Sequence, residues 1–307
     1  MTSSASTFSK ELTINMPQMA IEALSENWLF KEIGDVHWDL LCKGLNMKSS
    51  EIKDELNNRL YATFVRIRYK GNHDLSSFNE SEKVQLQADI KRFGHSMYHS
   101  KIGLLAKDKK IEAELLTSFS IRNDSDNSKL VKSQPIISAN HIPEHESLPE
   151  FANQYRLLKK KEVQAIELNE TVFEQTDNSI ASIEYELNPY YDLNGVGLLY
   201  FAAYPIINDV CEAKYFNKLN NDSSNWELEY STIARDVFYF ANCNIQDRIE
   251  YVLHDYQFLD QKIKLSSSLI RKRDGAILSK IFTIKVLRQN GHRNPNHSKL
   301  LINDTNQ

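Results

Sequence analysis

The chain has 307 residues, 41% of them hydrophobic and 25% charged, with a net charge of −4. That length and balance suffice for one large or two ordinary domains whose core needs no disulfide or metal. The acidic balance carries no electrostatic footprint for DNA or RNA and disfavours an anionic membrane, so neither is an expected partner.

Residues 1–10 are Ser/Thr-rich and lack the basic flank and apolar run of a secretory signal. No window approaches the roughly 18 apolar residues that a membrane span needs. Residues 11–17 alternate and are β-branched in part, which predicts a strand ending at Pro17. From Ser25 onward, Trp28, Leu29, Ile33, Val36, Leu40 and Leu41 fall at helical spacing, so a long helix is expected with Ser25 as its N-cap. Residues 60–69 alternate as a strand, with further strands at 89–93, 100–105 and 111–121. Residues 123–161 are rich in Ser, Asn, Asp, Pro and Lys, and read as a linker with one helix around 151–158.

The order of elements then repeats. Residues 182–189 alternate and end on Pro189, as the first run ends on Pro17. Residues 192–204 read as a second central helix capped by Asn194, and 235–240 answers 61–66 with Arg235 in the place of Tyr61. Residues 247–253 answer the segment at Asp89, and 268–271, the turn Asp274-Gly275 and 278–287 close the sheet as a hairpin. The pattern predicts two tandem units, 11–123 and 165–288, joined by a linker at 124–164 and followed by a flexible tail at 289–307. Cys42, Cys211 and Cys243 are widely spaced and odd in number, which argues against a disulfide framework and fits a reducing cytoplasm.

A strand, a long helix and an antiparallel sheet curling around it make the hot-dog pattern. The expected fold is therefore α+β, a double hot-dog in which each central helix is wrapped by its own curved sheet. Paired hot-dog units leave clefts along their helices, and such a cleft suits a long, thin pantetheine arm. A helix N-terminus offers unpaired N–H groups and partial positive charge to a thioester carbonyl. On that reading Ser25 and Asn27 line one helix start, and Asn194, Gly195 and Gly197 the other. Asn27 or Asn194 would donate to an oxyanion, while the small residues let backbone approach. Ordinary capping accounts for the same residues structurally.

The stretch Leu24-Ser-Glu-Asn-Trp-Leu-Phe-Lys-Glu-Ile-Gly-Asp-Val-His-Trp38, then Leu60-Tyr-Ala-Thr-Phe64, resembles the bifunctional acyltransferase/decarboxylases of polyketide gene clusters, whose type member serves leinamycin biosynthesis. Together with Asn194-Gly-Val-Gly-Leu-Leu-Tyr-Phe-Ala-Ala-Tyr-Pro205, it is more similar still to a sister group of biosynthetic-cluster proteins. The likeness runs from about Glu11 to Val286. It implies a double hot-dog and a reaction without cofactor. A malonyl or methylmalonyl group would be taken from coenzyme A, decarboxylated, and passed to the pantetheine of an acyl carrier protein. The resemblance places the family's acylated tyrosine at Tyr61. Gly34-Asp35 follows the type pattern, whereas Ser25-Glu26-Asn27 departs from it, which bears on substrate choice and on the decarboxylation step.

A phenol, with an ordinary pKa of about 10, is a weak nucleophile at neutral pH and needs a cation or base nearby. Arg66, Arg68 and Arg235 are the candidate cations. Decarboxylation needs no general base, only a held carbonyl and oxyanion donors. Asp35 and Asp192 keep open a thioesterase or dehydratase, and a non-catalytic acyl-binding scaffold is a third reading. His37 reads as a packing residue. His95 and His99 would share a strand face with no third ligand, so no metal site is expected. Lys159-Lys160-Lys161 reads as a solvated helix end, with the CoA 3′-phosphate as the alternative. Units paired within one chain make a monomer sufficient and a homodimer acceptable.

Overall fold

The structure is a computed structural model that describes residues 6–122, 126–136, 141–220 and 225–288. The tail expected at 289–307 lies outside the described residues. Leaving two-residue strands and single helical turns unnumbered, the first half runs β1 (Thr7–Thr13), α1 (Glu26–Leu45), β2 (Leu60–Gly71), β3 (Lys83–Phe93), β4 (Met97–Ala106) and β5 (Lys109–Ile121). A connecting region follows, with α2 (Glu150–Lys159) and a hairpin of β6 (Ala165–Leu168) and β7 (Thr171–Glu174). The second half runs β8 (Ala181–Glu186), α3 (Ala203–Leu219), β9 (Tyr230–Tyr239), β10 (Arg248–Leu259), β11 (Lys262–Arg271) and β12 (Ala276–Leu287).

Both halves join in one 11-stranded sheet, ten of its strands ordered β1-β3-β4-β5-β2-β9-β12-β11-β10-β8 and the eleventh, the short strand Val131–Lys132, paired to the end of β5, so along the main path the second half mirrors the first about the antiparallel β2–β9 seam. The seam runs from Arg66 paired with Phe238 to Lys70 paired with Ala234. In each strand a register shift falls immediately before the first residue that pairs across it, at Val65 in β2 and Ile233 in β9. A bulge repeated at the same place is a duplicated feature rather than a defect. The fold is a double hot-dog. The same symmetry equates Arg235 with Ile67, which corrects the expected match of Arg235 to Tyr61.

The first central helix forms where its spacing predicts. Ser25 Oγ accepts from Trp28 N at 3.3 Å, and Asn46, at φ 52°, ends the helix in the left-handed region. Its inner face carries Leu29, Phe30, Ile33, Leu40 and Leu41 against the sheet. The second helix departs from expectation. Residues 193–199 form a tight turn and α3 starts at Ala203. Asn, Gly and Gly in close succession favour a turn over a helix, and the buried face of α3 includes Asn208 and Glu212, which break its apolar period. Strand β1 likewise starts and ends earlier than expected, because Pro17 falls in the helical turn Met16–Gln18.

α1 and α3 pack on one face of the sheet, with the main core between. The opposite face at the seam is covered by α2 and the β6–β7 hairpin. There Phe151, Tyr155, Ile166 and Phe173 meet Val65, Phe238 and Phe282. At the centre Arg66 is fully buried. Its Nε and Nη2 donate to Asp236 at 2.9 and 2.6 Å, and its Nη1 donates to the Phe151 carbonyl of α2 at 2.7 Å. The rings of Phe151 and Phe238 sit 4.2 Å from the guanidinium carbon.

Removing one partner of a buried ion pair strands the other charge away from water. Asp236→Ala is therefore expected to cost about 3–5 kcal/mol, while the double replacement Arg66→Met with Asp236→Leu recovers most of it. Denaturant midpoints at unchanged slope measure both, and a single-variant loss below about 1 kcal/mol would show that the pair does not hold the seam.

Candidate active site

Beyond Arg66 toward its N-terminus, β2 keeps β5 as its neighbour but no longer pairs with β9. A cleft of about 520 Å³ opens in that gap. Its walls are the 60–65 side of β2, the middle of α1, the 194–201 loop and residues 239–242 after β9. Gly34 makes the α1 wall work. A Cβ there would lie 2.3 Å from the Phe201 ring, so only glycine lets Phe201 rest on the helix. Phe201 then stacks on Phe64 at 4.3 Å between ring centroids, and Phe64 in turn meets His37 at 5.5 Å.

The loop opposite is held by its own polar groups. Asn194 Oδ1 accepts from Val196 N at 3.1 Å and Leu198 N at 3.0 Å, which leaves its amide nitrogen as the remaining donor. Asn242 Oδ1 accepts from Leu199 N at 2.9 Å, pinning the loop to the end of β9. Behind it Asp192 accepts from Asn188 N at 2.7 Å and from the Tyr185 hydroxyl at 3.1 Å. Burial pushes the Asp192 carboxyl above its ordinary range, against the pull of those bonds.

Tyr61 lines the cleft, half-buried, and among the described residues its hydroxyl has no hydrogen-bond partner. The cation beside it is Arg59, whose guanidinium carbon lies 5.0 Å from the ring centroid. Arg66 and Arg68, expected in that role, are taken by Asp236 and Glu114. Ser120 pairs with Tyr61 across β2 and β5, and Ser118 lines the cleft with it. Asp35 is the one carboxylate among the described lining residues, and none of those residues is a histidine.

Of the residues expected from sequence, Tyr61, Asn194 and Gly195 come together here. The others do not. Ser25 is an ordinary cap at the far end of α1, and the buried Oδ1 of Asn27 has no partner among the described residues. Gly197, at φ 77°, completes the turn and accepts through its carbonyl from Asn127 Nδ2. Arg235 is sealed in a buried network, donating to Glu26 at 2.7 Å and to Asp209 at 2.8 Å. The expected helix-tip seat is absent because α1 presents its middle, while at the start of α3 Tyr239 donates to the Phe201 carbonyl and Pro205 supplies no N–H. The sequence reading also missed Arg59, Phe64, Phe201 and Asn242. Arg59 is findable, because it stands two residues before Tyr61 in extended chain leading into β2, where alternate residues share a face.

His37 is buried, with Nδ1 2.7 Å from Ser100 Oγ and Nε2 2.8 Å from Thr117 Oγ1, the packing role its sequence suggests. His95 lies in a turn rather than beside His99, which instead meets His145 and Glu114. The described residues contain no group of three or more His, Cys, Asp or Glu able to hold a metal, and none of their helices is long and apolar enough to cross a membrane.

No protein-family model matches the sequence, and no curated protein matches it either. Solved structures do. An oleoyl thioesterase (putative) from Lactobacillus plantarum aligns over 94% of this chain and 98% of its own, at 12% identity and a TM-score of 0.64. The 12:0-ACP thioesterase from Umbellularia californica aligns over 92% and 94%, at 8% identity and a TM-score of 0.63. An acyl-ACP thioesterase from Bacteroides thetaiotaomicron aligns over 91% and 97%, at 10% identity and a TM-score of 0.57. Likeness at such identities establishes the shared double hot-dog fold.

Burial lowers the His37 pKa from 6.5 to about 3, with the charge of His99 adding to the effect. As pH falls, the unfolded chain takes up this proton first. The stability from a neutral His37 is thus complete above about pH 6.5 and is lost progressively toward pH 3. His37→Gln, which keeps a hydrogen-bonding side chain but does not titrate, is expected to flatten that acid limb in urea titrations. An identical pH slope in both proteins would overturn the assignment.

Proposed function

We propose that the cleft takes an acyl thioester and that the protein is an acyltransferase/decarboxylase acting on a malonyl or methylmalonyl group. The observation that carries this reading is Tyr61, with its hydroxyl uncommitted among the described residues and the Arg59 guanidinium against its ring. The phenol oxygen attacks the thioester carbonyl, the C–S bond breaks, and coenzyme A leaves as the thiol with the phenol's proton. The aryl ester then loses CO₂. The electrons of the C–C bond form an enolate, which a proton from water quenches at the α-carbon. A carrier-protein pantetheine thiol finally takes the acyl group and returns the proton to Tyr61.

The rest of the cleft fits these needs. Decarboxylation asks for positioned donors rather than a base, and the described lining offers the Asn194 amide, Ser118 and Ser120 but no histidine. A volume of about 520 Å³ is in the range of small-molecule sites. The reaction would run in the cytoplasm with no cofactor beyond the coenzyme A of its substrate. A second reading rests on Asp35. The matched proteins are described as thioesterases, and a carboxylate in the cleft can activate water for hydrolysis.

Intact-mass measurement after incubation with malonyl- or methylmalonyl-CoA separates the two. The acyltransferase reading expects a covalent adduct on the wild type, none on Tyr61→Phe, and transfer to a holo acyl carrier protein. Under it, Asp35→Asn keeps transfer within about threefold. Under hydrolysis, Asp35→Asn loses roughly a hundredfold or more and Tyr61→Phe retains turnover, an outcome that would sink the transferase assignment.

A further inference from the structure

Beside the cleft mouth, two short segments form a rim whose exposed side chains, Arg59 excepted, the proposed chemistry does not use. Residues 53–59 turn back on themselves through a bridge between Lys53 and Arg59. Residues 131–136 lie against them, with Ile136 N donating to the Lys53 carbonyl at 3.1 Å and Ser133 Oγ to Asp54 Oδ2 at 3.2 Å. Val131 and Lys132 pair with Ile121 and Ser120, which pair in turn with Leu60 and Tyr61. The rim therefore stands next to the candidate nucleophile.

Its surface combines two features. Leu56 is 81% exposed, Ile136 60% and Val131 57%, so apolar side chains gather at the tips of both segments. Around them are Lys53, Arg59 and Lys132, joined by Lys159 at the end of α2; partial burial disfavours the charged form of Lys132, and the nearby charge of Lys159 adds to that effect. None of these cations has a carboxylate ion-pair partner among the described residues. Lys53 bonds Asn57 at 2.8 Å and Arg59 lies on Tyr61. The turn's own carboxylates are Glu55 at the tip and Asp54, which is buried and accepts from Leu56 N and Asn58 N. Elsewhere surface cations are paired, as Lys43 is with Asp39, Lys83 with Glu11 and Lys110 with Glu112. In a chain of net charge −4, unneutralised cations around exposed leucine, isoleucine and valine favour an acidic, partly apolar partner.

We propose that this rim docks the acyl carrier protein, with carboxylates around an apolar helix patch of the partner meeting Lys53, Lys132 and Lys159 around Leu56 and Ile136. The assignment rests on the acyl-transfer reading and names where its acceptor binds. Coenzyme A alone would need cations for its phosphates but has no use for exposed apolar side chains outside the cleft lining. A carrier protein needs both, and must sit at the mouth for its pantetheine arm to reach Tyr61.

Lys53→Glu and Leu56→Asp test this in the full chain, because both side chains are exposed and neither lines the cleft. The probe is a holo acyl carrier protein that the wild type charges from malonyl- or methylmalonyl-CoA. KM for the carrier is expected to rise roughly tenfold in each variant, and the salt dependence to flatten in Lys53→Glu. The adduct formed on Tyr61 from the CoA thioester alone should keep its rate within about twofold. An unchanged KM, or an equal loss in the CoA half-reaction, overturns the docking surface. If the wild type never forms the Tyr61 adduct, the acyl-transfer reading fails instead. Calorimetric titration of a free-standing holo acyl carrier protein into wild type and Lys53→Glu then decides the rim alone, with equal affinity, or no binding to either, counting against it.

Discussion

The Arg66–Asp236 pair sets where the two halves of the sheet stay together and where they part. Arg66 forms the last backbone pair of the seam, with Phe238, and its side chain grips the other half through Asp236 and the connecting region through Phe151. A charge this deep is tolerated because its donors are met and its faces are covered by rings. Immediately past it the bulge at Val65 turns β2 away, and the cleft begins. The ion pair thus clasps the fold one residue beyond Val65, where the cleft lining ends.

Much of this architecture is legible in the sequence. Strand β2 declares itself by alternation and α1 by its apolar stripe and the Ser25 cap, while β9, buried at every position, is found by its correspondence with β2. What hides is polar and buried. The inner face of α3 carries Asn208 and Glu212, where Asn208 accepts from Ser267 Oγ at 2.6 Å and Glu212 from Trp226 Nε1 at 2.8 Å, so the helix reads as interrupted. The true cleft wall depends on Gly34 accepting a ring from residue 201, a contact between segments that no local pattern encodes. Tyr61 was reached through likeness to a family, and Asn194 through a helix that turned out to be a turn.

The two-fold of the sheet promises a second cleft, and the chain has closed it. The counterpart lies where β9 starts and β2 ends. There Ser231 Oγ accepts from Ser76 N at 3.0 Å, which draws the turn Leu75–Ser77 over the gap. Gly71 sits so near the His73 carbonyl that a Cβ would lie 2.3 Å from its oxygen. On the helix side, Arg235, Glu26, Asp209, Lys285 and Glu212 form a continuous network in which Arg235, Lys285 and Glu212 are buried. Burial alone would raise the Asp209 carboxyl, yet Arg235 and Lys285 together hold it below its ordinary range. Breaking a pair among the buried members is costly, so the second half is filled with charge pairs where the first half is hollow.

The connecting region supplies the reason for choosing one side. A duplicated sheet has two equivalent clefts, but the chain between the copies passes only once. Here α2 lays Tyr155 and Lys159 along the open cleft, and the Tyr155 hydroxyl donates to the Tyr239 carbonyl at 3.3 Å. The same helix covers Val65 and Phe238 on the outer face, so one segment seals the seam and finishes a wall of the site. With no second copy of α2 to complete the other cleft, an opening there would expose the seam to water from one side. Filling it with paired charges and a short turn removes that exposure, while the cleft lined by Tyr61 stays open on the side that α2 completes.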